Sequence, residues 1–267
     1  MYKFSFCIAL LLGAFSTFSQ GTTISAFVGY GFSAPSDVLG IQVEPEKTTN
    51  IYGTLGAGMN YGLSSSYMLK PNFGMELGFT YFVGSKMLTS RVQNDFGVYE
   101  AFQNSNQFRL TPSLILQHSG EKLGFYFKPG IVLPLSNVSF SDETETGSGT
   151  IAPIGQTVSA QSETKYFFAV GYSASIGGSV QLAKKLSLFG EMNGISLKIM
   201  TKSKTMNSYV YNGIEGIDNL KTIDKYTTYD DQIYTVADTD QNVSKKALSL
   251  KHNFSAIFLN VGLKYLF

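Results

Sequence analysis

The chain of 267 residues carries 20 basic and 19 acidic side chains, and a net charge of +1 gives no field for drawing in nucleic acid or a strongly acidic partner. Its single cysteine, Cys7, stands in a leader-like segment, which removes disulfides, zinc–thiolate centres and a cysteine nucleophile from the remainder. Despite 21 Phe and 16 Tyr there is no long apolar run beyond that leader, so a helical membrane protein, which needs about 20 apolar residues per span, is excluded.

Lys3 followed by the apolar stretch Phe4 to Phe18 reads as a secretory signal peptide. Thr17 and Ser19 put the first-choice cleavage after Ser19 and the second after Gln20, dividing the chain into a signal peptide, 1–19, and one domain, 20–267. A membrane anchor would need a longer apolar run and a linker, whereas Thr22 already begins a strand pattern.

Eight segments then alternate with the period of two that marks a strand with unlike faces. The first, about 22–33, sets Ile24, Ala26, Val28, Tyr30 and Phe32 against Ser25, Phe27, Gly29, Gly31 and Ser33. The second, about 50–68, sets Ile51, Leu55, Ala57, Met59, Tyr61 and Leu63 against Thr54, Gly56, Gly58, Asn60 and Gly62. The third, about 73–84, opposes Phe73, Met75, Leu77, Phe79, Tyr81 and Val83 to Gly74, Glu76, Gly78 and Thr80. The fourth, about 102–117, turns Phe108, Leu110, Leu114 and Leu116 outward, and the fifth, about 122–136, does so with Leu123, Phe125, Phe127, Ile131 and Leu133. The sixth, about 165–182, opposes Tyr166, Phe168, Val170, Tyr172, Ala174, Ile176 and Val180 to Ala169, Gly171, Ser173, Ser175, Gly177 and Ser179. The seventh and eighth run about 186–200 and 252–267.

Connections alternate as well. Short turns fall at 69–72, 118–121 and 183–185, and long polar loops at 34–49, 85–101, 137–164 and 201–251. An even strand number with short turns at one end and long loops at the other is the pattern of an outer-membrane barrel with both termini in the periplasm. The expected fold is therefore all-β, a transmembrane antiparallel up-and-down barrel of eight strands. A soluble β-sandwich also alternates, but its second face carries charge and Thr, whereas Gly, Ser, Asn and Ala dominate here and suit a narrow lumen.

Leu259, Val261, Leu263, Tyr265 and Phe267 place apolar side chains at every second position back from a terminal aromatic. They resemble the outer-membrane β-signal, which implies that these five residues are read by the barrel-assembly machinery. Over the whole mature chain the pattern resembles the small OmpA-like and OmpX-like barrel superfamily, including the outer-membrane β-barrel domain proteins. Location in the outer membrane of a Gram-negative bacterium, with outer-membrane lipid as a partner, is what the resemblance implies. The chain ends with the last strand, so no peptidoglycan-binding domain is expected after it.

Five charged side chains fall on the inward face: Glu76, Arg109, Lys128, Glu191 and Lys264. Opposite charges in a low-dielectric lumen must pair, so a closed salt-bridge network is expected in preference to an ion path. Catalysis would need a base beside a nucleophile, and there are only two histidines: His118 in a periplasmic turn, and His252 near Ser249 and Ser255 but without a triad motif. No enzyme activity and no cofactor are expected. Asp230, Asp231, Asp238 and Asp240 lack the spacing and central glycine of a calcium loop, so no metal site is expected either. Tyr209, Tyr211, Tyr226, Tyr229 and Tyr234 make the last loop suited to contacts, and strand extensions above the membrane would pair with an envelope protein's edge. The expected role is thus structural, accessory or partner-binding through long extracellular loops, with a narrow porin-like channel for ions or small solutes as the alternative and a lipid-modifying enzyme ranked below it.

Overall fold

The computed structural model describes residues 21–33, 37–120, 122–147, 155–232 and 241–267. The expected signal peptide with Cys7, and Tyr234, Asp238 and Asp240 of the last loop, lie outside the described residues. In chain order the strands begin with β1 (Thr22–Ser33), β2 (Val38–Glu44), β3 (Lys47–Tyr52), β4 (Gly58–Lys70), β5 (Phe73–Gly84), β6 (Met87–Asn94), β7 (Gly97–Ser119), β8 (Leu123–Thr146) and β9 (Thr157–Tyr166). They continue with β10 (Gly171–Ala183), β11 (Leu186–Ser196), β12 (Lys198–Tyr211), β13 (Ile214–Glu215), β14 (Tyr226–Asp230), β15 (Lys245–Leu248), β16 (Lys251–Asn253) and β17 (Ala256–Leu266).

Eight of these close a ring in which every neighbour is antiparallel, β1–β4–β5–β7–β8–β10–β11–β17 and back to β1. Both ends of the described chain meet at the short-turn rim, where the Phe267 N–H donates to the Thr22 carbonyl at 3.0 Å. The outer face is a belt of exposed apolar side chains, among them Val28, Leu63, Leu77, Leu114, Leu116, Ile176, Met192, Leu259, Val261 and Leu263. Aromatics flank it: Phe125, Tyr265 and Phe267 towards the short turns, and Tyr30, Phe32, Phe108, Phe168 and Tyr172 towards the long connections. A closed ring leaves no unpaired edge to the hydrocarbon, and an apolar band between aromatic girdles is what a membrane requires of a barrel.

Inside, small and large residues alternate around each rung. Phe27 pairs with Gly62 on one neighbour and Gly262 on the other, and Gly262 in turn pairs with Phe189. A Cβ on Gly62 would sit 2.1 Å from the Phe27 ring, and one on Gly31 2.4 Å from the Phe258 ring. These two glycines exist to receive those rings, which is how a narrow lumen is filled to interior density.

The structure corrects the expected pattern in four places. In the second segment, residues 53–57 are not strand, and Leu55 and Ala57, expected to face outward, are buried. In the sixth segment, Tyr166 ends β9 and is buried, and β10 starts only at Gly171. The stretches 34–49, 85–101, 137–164 and 201–251, expected as loops without regular pattern, carry β2, β3, β6, much of β9 and β12 to β15 and the upper ends of β7 and β8. A bulge explains why the fifth segment was expected to end near residue 136. Phe108 pairs with Ser136 and Arg109 with Pro134, which leaves Leu135 as an extra residue and exchanges the two faces of β8 beyond it.

Candidate functional site: lumen and membrane-distal sheet

Position on alternate residues of β5, β7, β8, β11 and β17 brings Glu76, Arg109, Lys128, Glu191 and Lys264 to the wall of one interior cavity of about 40 Å³. Lys128 is the hub: its Nζ lies 2.8 Å from Glu76 Oε1 and 2.5 Å from Glu191 Oε2. Lys264 Nζ instead lies over aromatic faces, 3.8 Å from the centre of Tyr126 and 4.7 Å from that of Phe189. Arg109 stands apart from both carboxylates. Its Nε donates to Gln107 Oε1 at 2.7 Å, and its guanidinium stacks 4.3 Å from the centre of Phe82 and 5.5 Å from that of Phe258. The expected five-membered network is therefore a Glu76–Lys128–Glu191 triad plus two cations held by rings. Phe82 and Phe258 were not singled out from sequence. Their inward parity, with glycine on neighbouring rungs, was the available signal.

Above Arg109 the lumen turns apolar. Leu55, Phe82, Val132, Tyr166, Ile195, Leu197, Ile199, Phe254 and Phe258 form one buried cluster. The 53–57 segment is fastened into it from several sides: Leu55 N–H donates to the Asn253 carbonyl, Thr54 Oγ1 to the Ser255 carbonyl, and Ser105 Oγ to the Leu55 carbonyl. Phe254 N–H donates to the Leu197 carbonyl, continuing the β11–β17 register. Residues expected in the wall of strand two thus form a stopper at the long-connection end. A cavity of about 40 Å³ below it holds a few waters at most, since one water needs about 10–15 Å³ in the same measure.

Above the ring, β7 and β8 continue into a sheet in the order β3–β2–β6–β7–β8–β9–β12–β14–β15, antiparallel except for the β2–β6 and β14–β15 pairs, with the short β13 and β16 also paired to β12. Ion pairs lace it: Lys86–Asp142 at 2.7 Å, Lys204–Glu143 at 2.9 Å and Lys198–Asp37 at 2.7 Å. Its edge strands bear Lys47, Lys245 and Lys246, which discourages unselective strand pairing. Ile41, Tyr52, Phe140, Tyr226 and Leu248 are exposed on it. Tyr209, Tyr211 and Tyr229 also lie on its strands.

His252 does not join either serine. Its Nδ1 lies 3.4 Å from the Tyr166 hydroxyl, which also donates to Ser139 Oγ at 2.9 Å and accepts from Gln103 Nε2. Ser255 Oγ accepts from Leu197 N–H, and Ser249 N–H donates to the Asp230 carbonyl. Burial pushes the His252 imidazole below its ordinary value. His118 sits at the short-turn end of β7. No group of three or more His, Cys, Asp or Glu suited to a metal occurs among the described residues.

With a closed ring, an apolar belt and a filled lumen, the architecture is settled. The fold is that of a small outer-membrane β-barrel. No protein-family model matches the sequence, and no curated protein matches it. Among solved structures it is similar to Neisserial surface protein A, at 9% identity over 93% of this chain and 98% of that one, with a TM-score of 0.43. The outer membrane protein OprG from Pseudomonas aeruginosa is similar at 11% identity over 92% and 96%, TM-score 0.43. Acinetobacter baumannii CarO2 is similar at 14% identity over 92% and 99%, TM-score 0.35. Leu259, Val261, Leu263, Tyr265 and Phe267 all point from the closing strand and its end to the lipid side.

Proposed function

We propose that this outer-membrane barrel is a sealed anchor, without enzyme activity, that displays its membrane-distal sheet to another envelope protein. The observation that carries the reading is a contrast of investment. The lumen is stopped by the Leu55–Phe254 cluster above a triad of paired charges, whereas the long connections are built into a nine-strand sheet with exposed aromatic and aliphatic side chains. A filled eight-strand lumen passes no solute stream, and ordered strands above a membrane offer a surface for recognition. By the usual orientation of such barrels the sheet faces the outside. The lipid-facing pattern Leu259 to Phe267 supports recognition by the barrel-assembly machinery during biogenesis.

Extraction of the protein from its native membrane in mild detergent, followed by mass spectrometry of what migrates with it, tests the reading. A stoichiometric envelope partner that is lost when Tyr52, Phe140 and Tyr226 are replaced by Ser supports it. Migration alone, together with large steady conductance steps in planar bilayers, overturns it in favour of a channel.

A further inference from the structure

We propose that the lumen holds one small monovalent anion, a halide, against the terminal amino groups of Arg109. One cavity is lined by three cationic side chains, Arg109, Lys128 and Lys264, and two carboxylates, Glu76 and Glu191. Both carboxylates are already bound to Lys128. Arg109 is 1% exposed; its Nε donates to Gln107 and its guanidinium lies against the rings of Phe82 and Phe258. Neither Nη1 nor Nη2 has a hydrogen-bond partner among the described residues. A buried cation without a counter-charge is costly, and a guanidinium does not escape that cost by giving up its proton. The two amino groups form a fork that suits one acceptor, and Thr80 and Thr111 add hydroxyls to the same cavity wall. Size agrees with a small ligand: about 40 Å³ has room for a halide with a water.

The test uses the purified full-length barrel in detergent, with its thermal midpoint followed in sodium chloride, sodium bromide and sodium gluconate at one ionic strength. Halide raises the midpoint relative to gluconate, and beyond saturation each tenfold increase in halide multiplies the folded-to-unfolded ratio about tenfold. Crystals grown in bromide show an anomalous peak within hydrogen-bond distance of Arg109. Arg109→Gln abolishes the halide dependence. Lys264→Met, which leaves Arg109 in place and balances the remaining lumen charges, weakens it at least tenfold and remains informative should Arg109→Gln fail to fold. Equal midpoints in chloride and gluconate, an undiminished halide effect in either variant, or bromide density only elsewhere overturns the proposal.

Discussion

Strands β7 and β8 run through two different environments, and the single extra residue Leu135 marks the border between them. Below it, their outward side chains are Phe108, Leu110, Leu114, Leu116, Phe125, Phe127 and Ile131, and each inward charge must find a partner within the lumen. Above it, the same pair carries Glu100, Asn104, Asp142 and Thr144 and is bordered by an open sheet rather than a closed ring. The ladder of hydrogen bonds is common to both halves; what differs is how an ion pair is solvated. The triad of the lower half depends on its own members, while a pair such as Lys204–Glu143 in the upper half has water as an alternative.

Removing the hub of the lower half gives the largest effect. Lys128→Met takes from Glu76 and Glu191 the ammonium that both bind and is expected to cost about 3–5 kcal/mol, the range for a broken buried pair. The triple replacement Lys128→Met, Glu76→Gln, Glu191→Gln recovers most of that loss, because the penalty lies in the orphaned charges and not in missing attraction. Heat-modified mobility in detergent, read as a function of temperature, measures both. A loss under about 1 kcal/mol for the single variant would show that water reaches the triad and would erase the contrast.

The matching change above the border is smaller. Lys204 bonds Glu143 at 2.9 Å, with 32% and 26% of their side chains exposed, and Tyr99 donates to the same carboxylate at 3.2 Å. Lys204→Met is expected to cost about 0.2–1 kcal/mol, screened further by salt, by the same mobility assay. A loss as large as that of Lys128→Met would mean that the upper sheet is as dry as the lumen.

Sequence reading reached the wall and not what fills or surmounts it, for reasons visible in particular residues. Alternation defined β1, β5 and the outward faces of the rest because lipid on one side and a small lumen on the other impose a strict period of two. The same rule misassigned Leu55 and Ala57: residues 53–57 happen to alternate, but their backbone leaves the wall and Leu55 bonds Asn253, a partner 198 residues away. It also lost β8 at the bulge, where a change of face looks like the end of a strand. The five lumen charges were legible from parity and do meet at one cavity, yet parity says nothing of distance along the axis, so the separation of Arg109 from the triad was not. The long connections gave no clear periodic signal because the side chains they bury, such as Ala101, Ala160, Ser162 and Thr164, are small or polar.

The smallest effect comes at the junction of the two halves, from His252. Its imidazole is packed against the rings of Tyr166 at 5.5 Å and lies 3.4 Å from the hydroxyl of that residue, and burial holds it below its ordinary value of 6.5. In the folded state it therefore resists a proton that the unfolded chain accepts. The stability this represents is fully present above pH 6.5 and is lost as pH falls through that value towards the lower folded one. Asp37 is held below the ordinary carboxylate value of 3.8 by its bond from Lys198, and Glu215 below 4.5 by the Tyr209 N–H, so what they contribute falls away only at lower pH. A fall in thermal midpoint between pH 7 and pH 5 that is flattened by His252→Gln is the expected result. If the variant keeps the full slope, the imidazole is protonated in place, and the Tyr166 cluster at the top of the stopper is wetter than its packing implies.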